Sequence, residues 1–190
     1  MGCDDGFPGP MINELSRRNN AIYFYGDCTA ENMYKIKEHL MDIRMGRDNQ
    51  YAALIINSPG GTADAMAFYD WLKAYPLPLV TFVEGMCCSA ATVLYLAGHV
   101  RYISPTSLFL IHSVNSEFHG ILKEGTAKDE YDAMLSINTG ILRKIYTAET
   151  KLTKQQLNEL LAYREKFLNA RECIKYGISH KIGVFVEGMA

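Results

Sequence analysis

The chain predicts an α/β fold in one domain, built on a mainly parallel sheet covered by helices. Three observations carry this. Short apolar runs alternate with amphipathic stretches, glycine and proline punctuate them at Gly26, Pro76, Pro78 and Gly98, and neither an internal repeat nor a linker interrupts the alternation. At 190 residues the chain is long enough to bury a sizeable core. Apolar residues make up 48% and charged residues 21%, which excludes disorder as the general state.

The elements follow in order. Ala21 to Tyr25 reads as a strand ended by Gly26, and Thr29 caps a helix whose Met33, Ile36, Leu40, Met41 and Ile43 share one face. A strand from Leu54 to Asn57 precedes a helix from about Ala63 to Ala74, which Pro76 and Pro78 terminate. Leu79 to Val83 is a strand feeding a helix that begins near Ser89 and ends at Gly98 in the C′ position. Arg101 to Ile103 and Leu108 to Ile111 are strands, and a long helix spans about Ala127 to Thr147. Thr153 with Gln156, and Asn169 with Glu172, are capping-box patterns opening two more helices, the second stopping at Gly177.

A formal charge of −2 offers no electrostatic reason to bind nucleic acid or an acidic membrane surface. The five cysteines, Cys3, Cys28, Cys87, Cys88 and Cys173, are odd in number and show no C-x-x-C spacing. Neither a disulfide framework nor a zinc site is expected, and a reducing compartment is. Met1 to Gly6 shows no basic region followed by an apolar one, and no later stretch reaches the length of a membrane span. A cytoplasmic location is expected.

Ser89 stands where the Leu79 strand turns into a helix, within Gly85-Met86-Cys87-Cys88-Ser89-Ala90-Ala91. A serine there projects its hydroxyl from the strand end, beside helix amides free to receive an oxyanion. Taken alone, the same serine is an ordinary N-cap. An alcohol needs a base to attack at neutral pH, and His112 ends the apolar strand Leu108 to Ile111. His39, His99, His119 and His180 read as solvated surface residues. Upstream, Leu54-Ile55-Ile56-Asn57-Ser58-Pro59-Gly60-Gly61 is a strand running into a double-glycine turn.

Together these segments resemble the proteolytic subunit of the Clp protease. In that family a strand ending in N-S-P-G-G supplies an oxyanion-hole amide, a G-M-x-x-S turn supplies the nucleophile, and an I-H after the next strand supplies the base. Tyr163-Arg164-Glu165-Lys166-Phe167-Leu168-Asn169-Ala170, then Glu172 and Tyr176-Gly177-Ile178, are similar to the family's R-D-x-F-[LM]-S-A-x-E-A-x-x-Y-G-[LI] segment. The resemblance runs from roughly Ala21 to Ile182 and marks a divergent member.

The resemblance implies the spiral of strand-strand-helix units shared by Clp peptidases and crotonases, over residues 21–190, with a protruding long helix and a short N-terminal segment, 1–20. It implies a serine endopeptidase that hydrolyses unfolded polypeptides inside a self-compartmentalised ring, without metal or cofactor. Ser89 is then the nucleophile, His112 the base, and Glu165 the orienting acid where the family has aspartate. Gly61 and Ala90 supply the oxyanion-hole amides. Ser113, Val114 and Asn115 take the place of the family's proline- and glycine-containing substrate strand.

Assembly is implied in the same way: two heptameric rings meet through the long helix, and Arg164 pairs with Asp129 or Glu130 of the opposite ring. The family also docks an AAA+ unfoldase ATPase through an axial N-terminal hairpin, which Met1 to Asn20 is too short to hold in full. Neither glycine pair is followed by the Lys-Ser/Thr of a P-loop, so unfolding must come from another chain. Two other classes remain. Glu165 and the altered substrate strand motivate a catalytically silent ring subunit, and the shared spiral allows a crotonase-like acyl-CoA enzyme, ranked last because it needs no serine–histidine pair.

Overall fold

The computed structural model describes residues 14–46, 49–62, 64–114, 127–162 and 166–186. An α/β fold results. Its strands β1 (Glu14–Arg18), β2 (Ala21–Tyr25), β3 (Ala52–Ser58), β4 (Leu79–Cys88), β5 (Val100–Ile103), β6 (Leu108–Ile111), β7 (Lys166–Asn169) and β8 (Lys181–Ile182) form one sheet. Between them lie α1 (Ala30–Met45), α2 (Asp64–Lys73), α3 (Ala91–Leu96), α4 (Ala127–Glu149), α5 (Lys154–Ala162) and α6 (Ala170–Lys175). The path β2-β3-β4-β5-β8 is parallel throughout, as expected of apolar strands joined by helices. β1 and β7 run antiparallel at its margins, on β2 and β6.

Alternation along the strands sorts side chains to two faces. Ile22, Phe24, Leu54, Ile56 and Val83 join the main core under α1, α2 and α3. Ala21, Ala53, Ile55 and Phe82 face the other way, into a smaller cluster with Tyr23, Tyr51, Tyr102 and Phe185. The predicted caps form as read. Thr29 accepts from the Asn32 N–H, Thr153 and Gln156 exchange side-chain-to-backbone bonds, and Asn169 and Glu172 complete a reciprocal capping box. Gly177, at φ +66°, stops α6, with Ile178 N–H reaching back to the Cys173 carbonyl.

β4 departs from expectation. Read from sequence it stops at Val83, yet it continues to Cys88 through Gly85, whose φ is +101°. Its first half pairs with β5 and its second half with β6, while β3 follows it on the other side. Ile56 stands opposite Val83 and Ser58 opposite Cys87, so β4 carries extra residues at this point. Two side chains take up the amides the bulge would leave unpaired: Asn57 Oδ1 accepts from Met86 N–H at 3.1 Å, and Ser107 Oγ accepts from Gly85 N–H at 2.9 Å. A Cβ at Gly85 would lie 2.7 Å from Asn57 Oδ1, which is why this position is glycine.

Arg101, only 4% exposed on β5, gathers the helix ends. Its guanidinium donates to the carbonyls of Gly98 beyond α3, Glu149 at the end of α4, and Gly177 and Ile178 beyond α6. It also meets the Glu149 carboxylate at 3.2 Å, which takes further bonds from Tyr69 and Lys73 of α2. Helix C-termini leave carbonyls without partners, and five fixed donors satisfy several of them at once. His180 belongs to the same knot. Its Nδ1 accepts from Arg101 N–H, and His99 Nδ1 accepts from Leu79 N–H, so both exposed rings act as backbone caps rather than as the solvated bystanders expected. Among the described residues no helix is long and apolar enough to cross a membrane.

Burial alone would raise the Glu149 carboxyl, but hydrogen bonds from Tyr69 and Lys73 and the charges of Lys73 and Arg101 outweigh it and hold it below the ordinary carboxylate range. The stability this supplies is complete above the unfolded-state value and is lost as pH falls through the lowered one. Acid titration of unfolding should therefore show a shallower loss in Glu149→Gln than in wild type. Arg101→Met, which strands Glu149 and several carbonyls, should cost about 3 kcal/mol or more, a fall in Tm on the order of 10 °C by calorimetry.

Candidate active site

Because Cys88 pairs with Leu110 and β6 ends at Ile111, Ser89 and His112 leave the sheet side by side at the same edge. Both line one cavity of about 360 Å³. Gly61, Thr62, Ala90, Ser113 and Val114 also border it, and Met66 with Met134, Leu135, Asn138, Leu142 and Tyr146 of α4 forms a mostly apolar wall. Of the expected substrate strand, Ser113 and Val114 are thus beside Ser89 and His112. Asn115 lies outside the described residues.

Ser89 is not the N-cap. It has φ 53°, in the left-handed region, whereas a capping serine takes an extended backbone, and the residue before α3 is Ala90, with no side-chain cap. Left-handed backbone costs a non-glycine residue on the order of 1–2 kcal/mol and persists only where its surroundings impose it. Here the Ser89 N–H donates to the Leu110 carbonyl at 3.1 Å, and its carbonyl accepts from Thr92 N–H at 3.0 Å.

The glycine loop lies against this turn. Cys28 N–H donates to the Gly60 carbonyl at 2.6 Å and Thr62 N–H to the Cys28 carbonyl at 2.8 Å. This parallel bridge uses the groups on either side of Gly61 and turns the Gly61 N–H away from Cys28. Gly60 N–H is taken by Ser58 Oγ at 3.1 Å. Among the described residues, the amides of Gly61 and Ala90 are left without a protein acceptor, and both residues border the cavity. That arrangement can receive an anionic oxygen.

His112 Nδ1 lies 2.6 Å from the Ser113 carbonyl oxygen. A carbonyl only accepts, so Nδ1 carries a proton, and in the neutral ring that leaves the lone pair on Nε2, the tautomer a general base needs. Among the described residues no hydrogen bond joins His112 to Ser89. Cys88, the neighbouring thiol, points into the core instead, 4% exposed, and Cys28, Cys87 and Cys173 are buried with it. Burial, against a weaker bond from Ser58, pushes the Cys28 thiol up to about 12. Burial likewise raises Cys173 to about 12 and Cys87 well above its ordinary value. Asp129 and Glu130 are exposed in the first turn of α4. Arg164 and Glu165 lie outside the described residues.

A family model for the Clp protease matches residues 11–184. The chain belongs to the Clp protease family. It is 31% identical, over 85% of its length and 80% of the relative's, to the ATP-dependent Clp protease proteolytic subunit 2 of Treponema denticola. Subunit 1 of Leifsonia xyli subsp. xyli is 28% identical over 88% of this chain and 85% of its own. Subunit 1 of Rhodopirellula baltica is 23% identical over 88% of this chain and 73% of its own.

In this candidate site, sequence reading named the residues carried by short motifs and did not name those that hold them: Asn57, Ser58, Thr92, Ser107 and Tyr146. Only Asn57 and Ser58 fell inside a motif. Gly60 presses directly on the Ser89 turn, since a Cβ there would lie 2.6 Å from Ser89 Cβ and 2.7 Å from the Cys88 carbonyl, at φ +105°. Gly60→Ala should slow labelling of Ser89 by a fluorophosphonate about 10²-fold, the scale of an ångström-sized misplacement. Mass spectrometry time courses measure it.

Proposed function

We propose that the protein is a serine endopeptidase that cleaves unfolded polypeptides, with Ser89 as nucleophile and His112 as base. The observation that carries this reading is the left-handed Ser89 at the rim of a cavity it shares with His112 and with the Gly61 and Ala90 amides, which have no acceptor among the described residues. Ser89 Oγ would attack the scissile carbonyl while His112 Nε2 takes its proton. The oxyanion would be received by the N–H groups of Gly61 and Ala90. Breaking the C–N bond passes the proton from His112 to the leaving amine, and water then hydrolyses the acyl-ester by the same route.

Glu165 is the acid the sequence offers for the His112 Nδ1–H. Taking that bond from the neutral Ser113 carbonyl would add a charge that stabilises the imidazolium. The apolar wall from α4 suits an apolar side chain next to the cleaved bond, and Ser113 and Val114 would pair with substrate backbone. Family membership supports assembly into stacked heptameric rings, with α4 and the Arg164 pairing to Asp129 or Glu130 at the ring contact. Family membership also supports an AAA+ unfoldase as partner.

The test is active-site labelling with hydrolysis of an unstructured peptide. A fluorophosphonate adduct on the peptide bearing Ser89, lost in Ser89→Ala together with turnover, is the expected result. Glu165→Gln should lose on the order of 10⁴ in rate, as orienting acids of working triads do. Turnover that survives Ser89→Ala refutes the assignment, and an unchanged Glu165→Gln removes the acid. Native mass spectrometry of the wild type reads the ring.

A further inference from the structure

Ser89 has a second tie besides its backbone partners. Its carbonyl also accepts from Thr92 Oγ1, at 2.5 Å, and Thr92 Oγ1 lies 2.5 Å from the phenol oxygen of Tyr146. A hydroxyl has one proton to give. The Thr92 proton is committed to a carbonyl, which cannot donate, so the proton between Thr92 and Tyr146 comes from Tyr146. Donation therefore runs in one direction, from Tyr146 O–H to Thr92 O–H to the Ser89 carbonyl.

The orientation of that carbonyl matters because of what lies across the peptide bond. Ser89 C=O and Ala90 N–H belong to one planar trans unit and point in opposite directions. Drawing the oxygen inward toward Thr92 turns the amide outward. Thr92 is fully buried and Tyr146 2% exposed, and the Tyr146 ring also forms part of the cavity wall. Burial, against a weaker bond from Thr92, raises the Tyr146 phenol above its ordinary value, so it stays a donor at neutral pH.

We propose that Thr92 and Tyr146 are positioning residues for the oxyanion hole: a hydroxyl relay from the last turn of α4 that holds the Ser89–Ala90 peptide with the Ala90 N–H directed into the cavity. The relay rests on the serine peptidase reading and adds a direct link from the long helix to the site. A displacement of α4 withdraws the Tyr146 hydroxyl, loosens Thr92 and frees the peptide to rotate. The reacting groups remain present but the amide is no longer aimed.

The experiment compares Thr92→Val, Thr92→Ser and Tyr146→Phe with wild type in peptide hydrolysis, and determines the crystal structure of Thr92→Val. Valine keeps the shape of threonine and removes the proton. Thr92→Val should lower kcat roughly 10- to 100-fold with KM within about twofold, the pattern of an interaction made in the transition state. Thr92→Ser should stay within about threefold of wild type, and adding Tyr146→Phe to Thr92→Val should cost nothing further, because the two act in series.

A residue that only packs would reduce stability without separating kcat from KM, and serine would not rescue it. Wild-type kcat in Thr92→Val overturns the relay, and wild-type kcat in Tyr146→Phe overturns its link to α4. Tyr146→Phe removes a single oxygen, and it carries the kinetic test if Thr92→Val does not fold. The crystal structure reads the relay without turnover: a rotated Ser89–Ala90 peptide supports it and an unchanged one overturns it. An inactive wild type counts against the peptidase reading alone.

Discussion

The arginine at the centre of the helix ends sets much of the geometry. Arg101 faces carbonyls from three helix termini and the Glu149 carboxylate, while Glu149 is also held by Tyr69 and Lys73. A buried guanidinium tolerates few arrangements, since each unmatched donor or carbonyl would cost a desolvated polar group. The end of α4 is therefore fixed in register against α2, α3 and β5. Tyr146 lies one turn before that anchor, and its hydroxyl reaches Thr92 because the anchor holds.

A second constraint is the change of partner along β4. A strand pairing with β5 for its whole length would deliver Ser89 beside β5, away from the end of β6 where His112 follows. The bulge at Gly85 lets the same strand exchange β5 for β6, the strand that ends at His112. Asn57 and Ser107 make the exchange affordable by covering the amides it exposes. Serine, histidine and glycine loop then meet at one sheet edge although they lie on three separate segments.

What could be read from sequence was what is local. Thr29, the Thr153–Gln156 box and the Asn169–Glu172 box formed because capping depends on residues three apart. The extension of β4 was hidden, since its amides are taken by side chains 29 and 22 residues away. β1 escaped notice because Glu-Leu-Ser-Arg-Arg lacks an apolar alternation and owes its form to pairing with β2. Ser89, His112 and Gly61 were legible through motifs, but motifs do not display the Thr92–Tyr146 pair, 54 residues apart. His99 and His180 looked like surface residues, and no pattern in the chain marks a ring nitrogen that accepts a backbone amide.

The sealed thiols behind the Ser89 turn have a use of their own. Thiol reagents attack thiolates, and Cys28, Cys87 and Cys173 are both buried and held in the protonated form. They become reactive only when the core around them opens. Alkylation at neutral pH is thus a clock for that opening, counting excursions of the folded molecule with no substrate and no altered residue. Cys28 sits under the glycine loop and Cys173 on α6, so the order in which they react would show which part of the protein comes apart first.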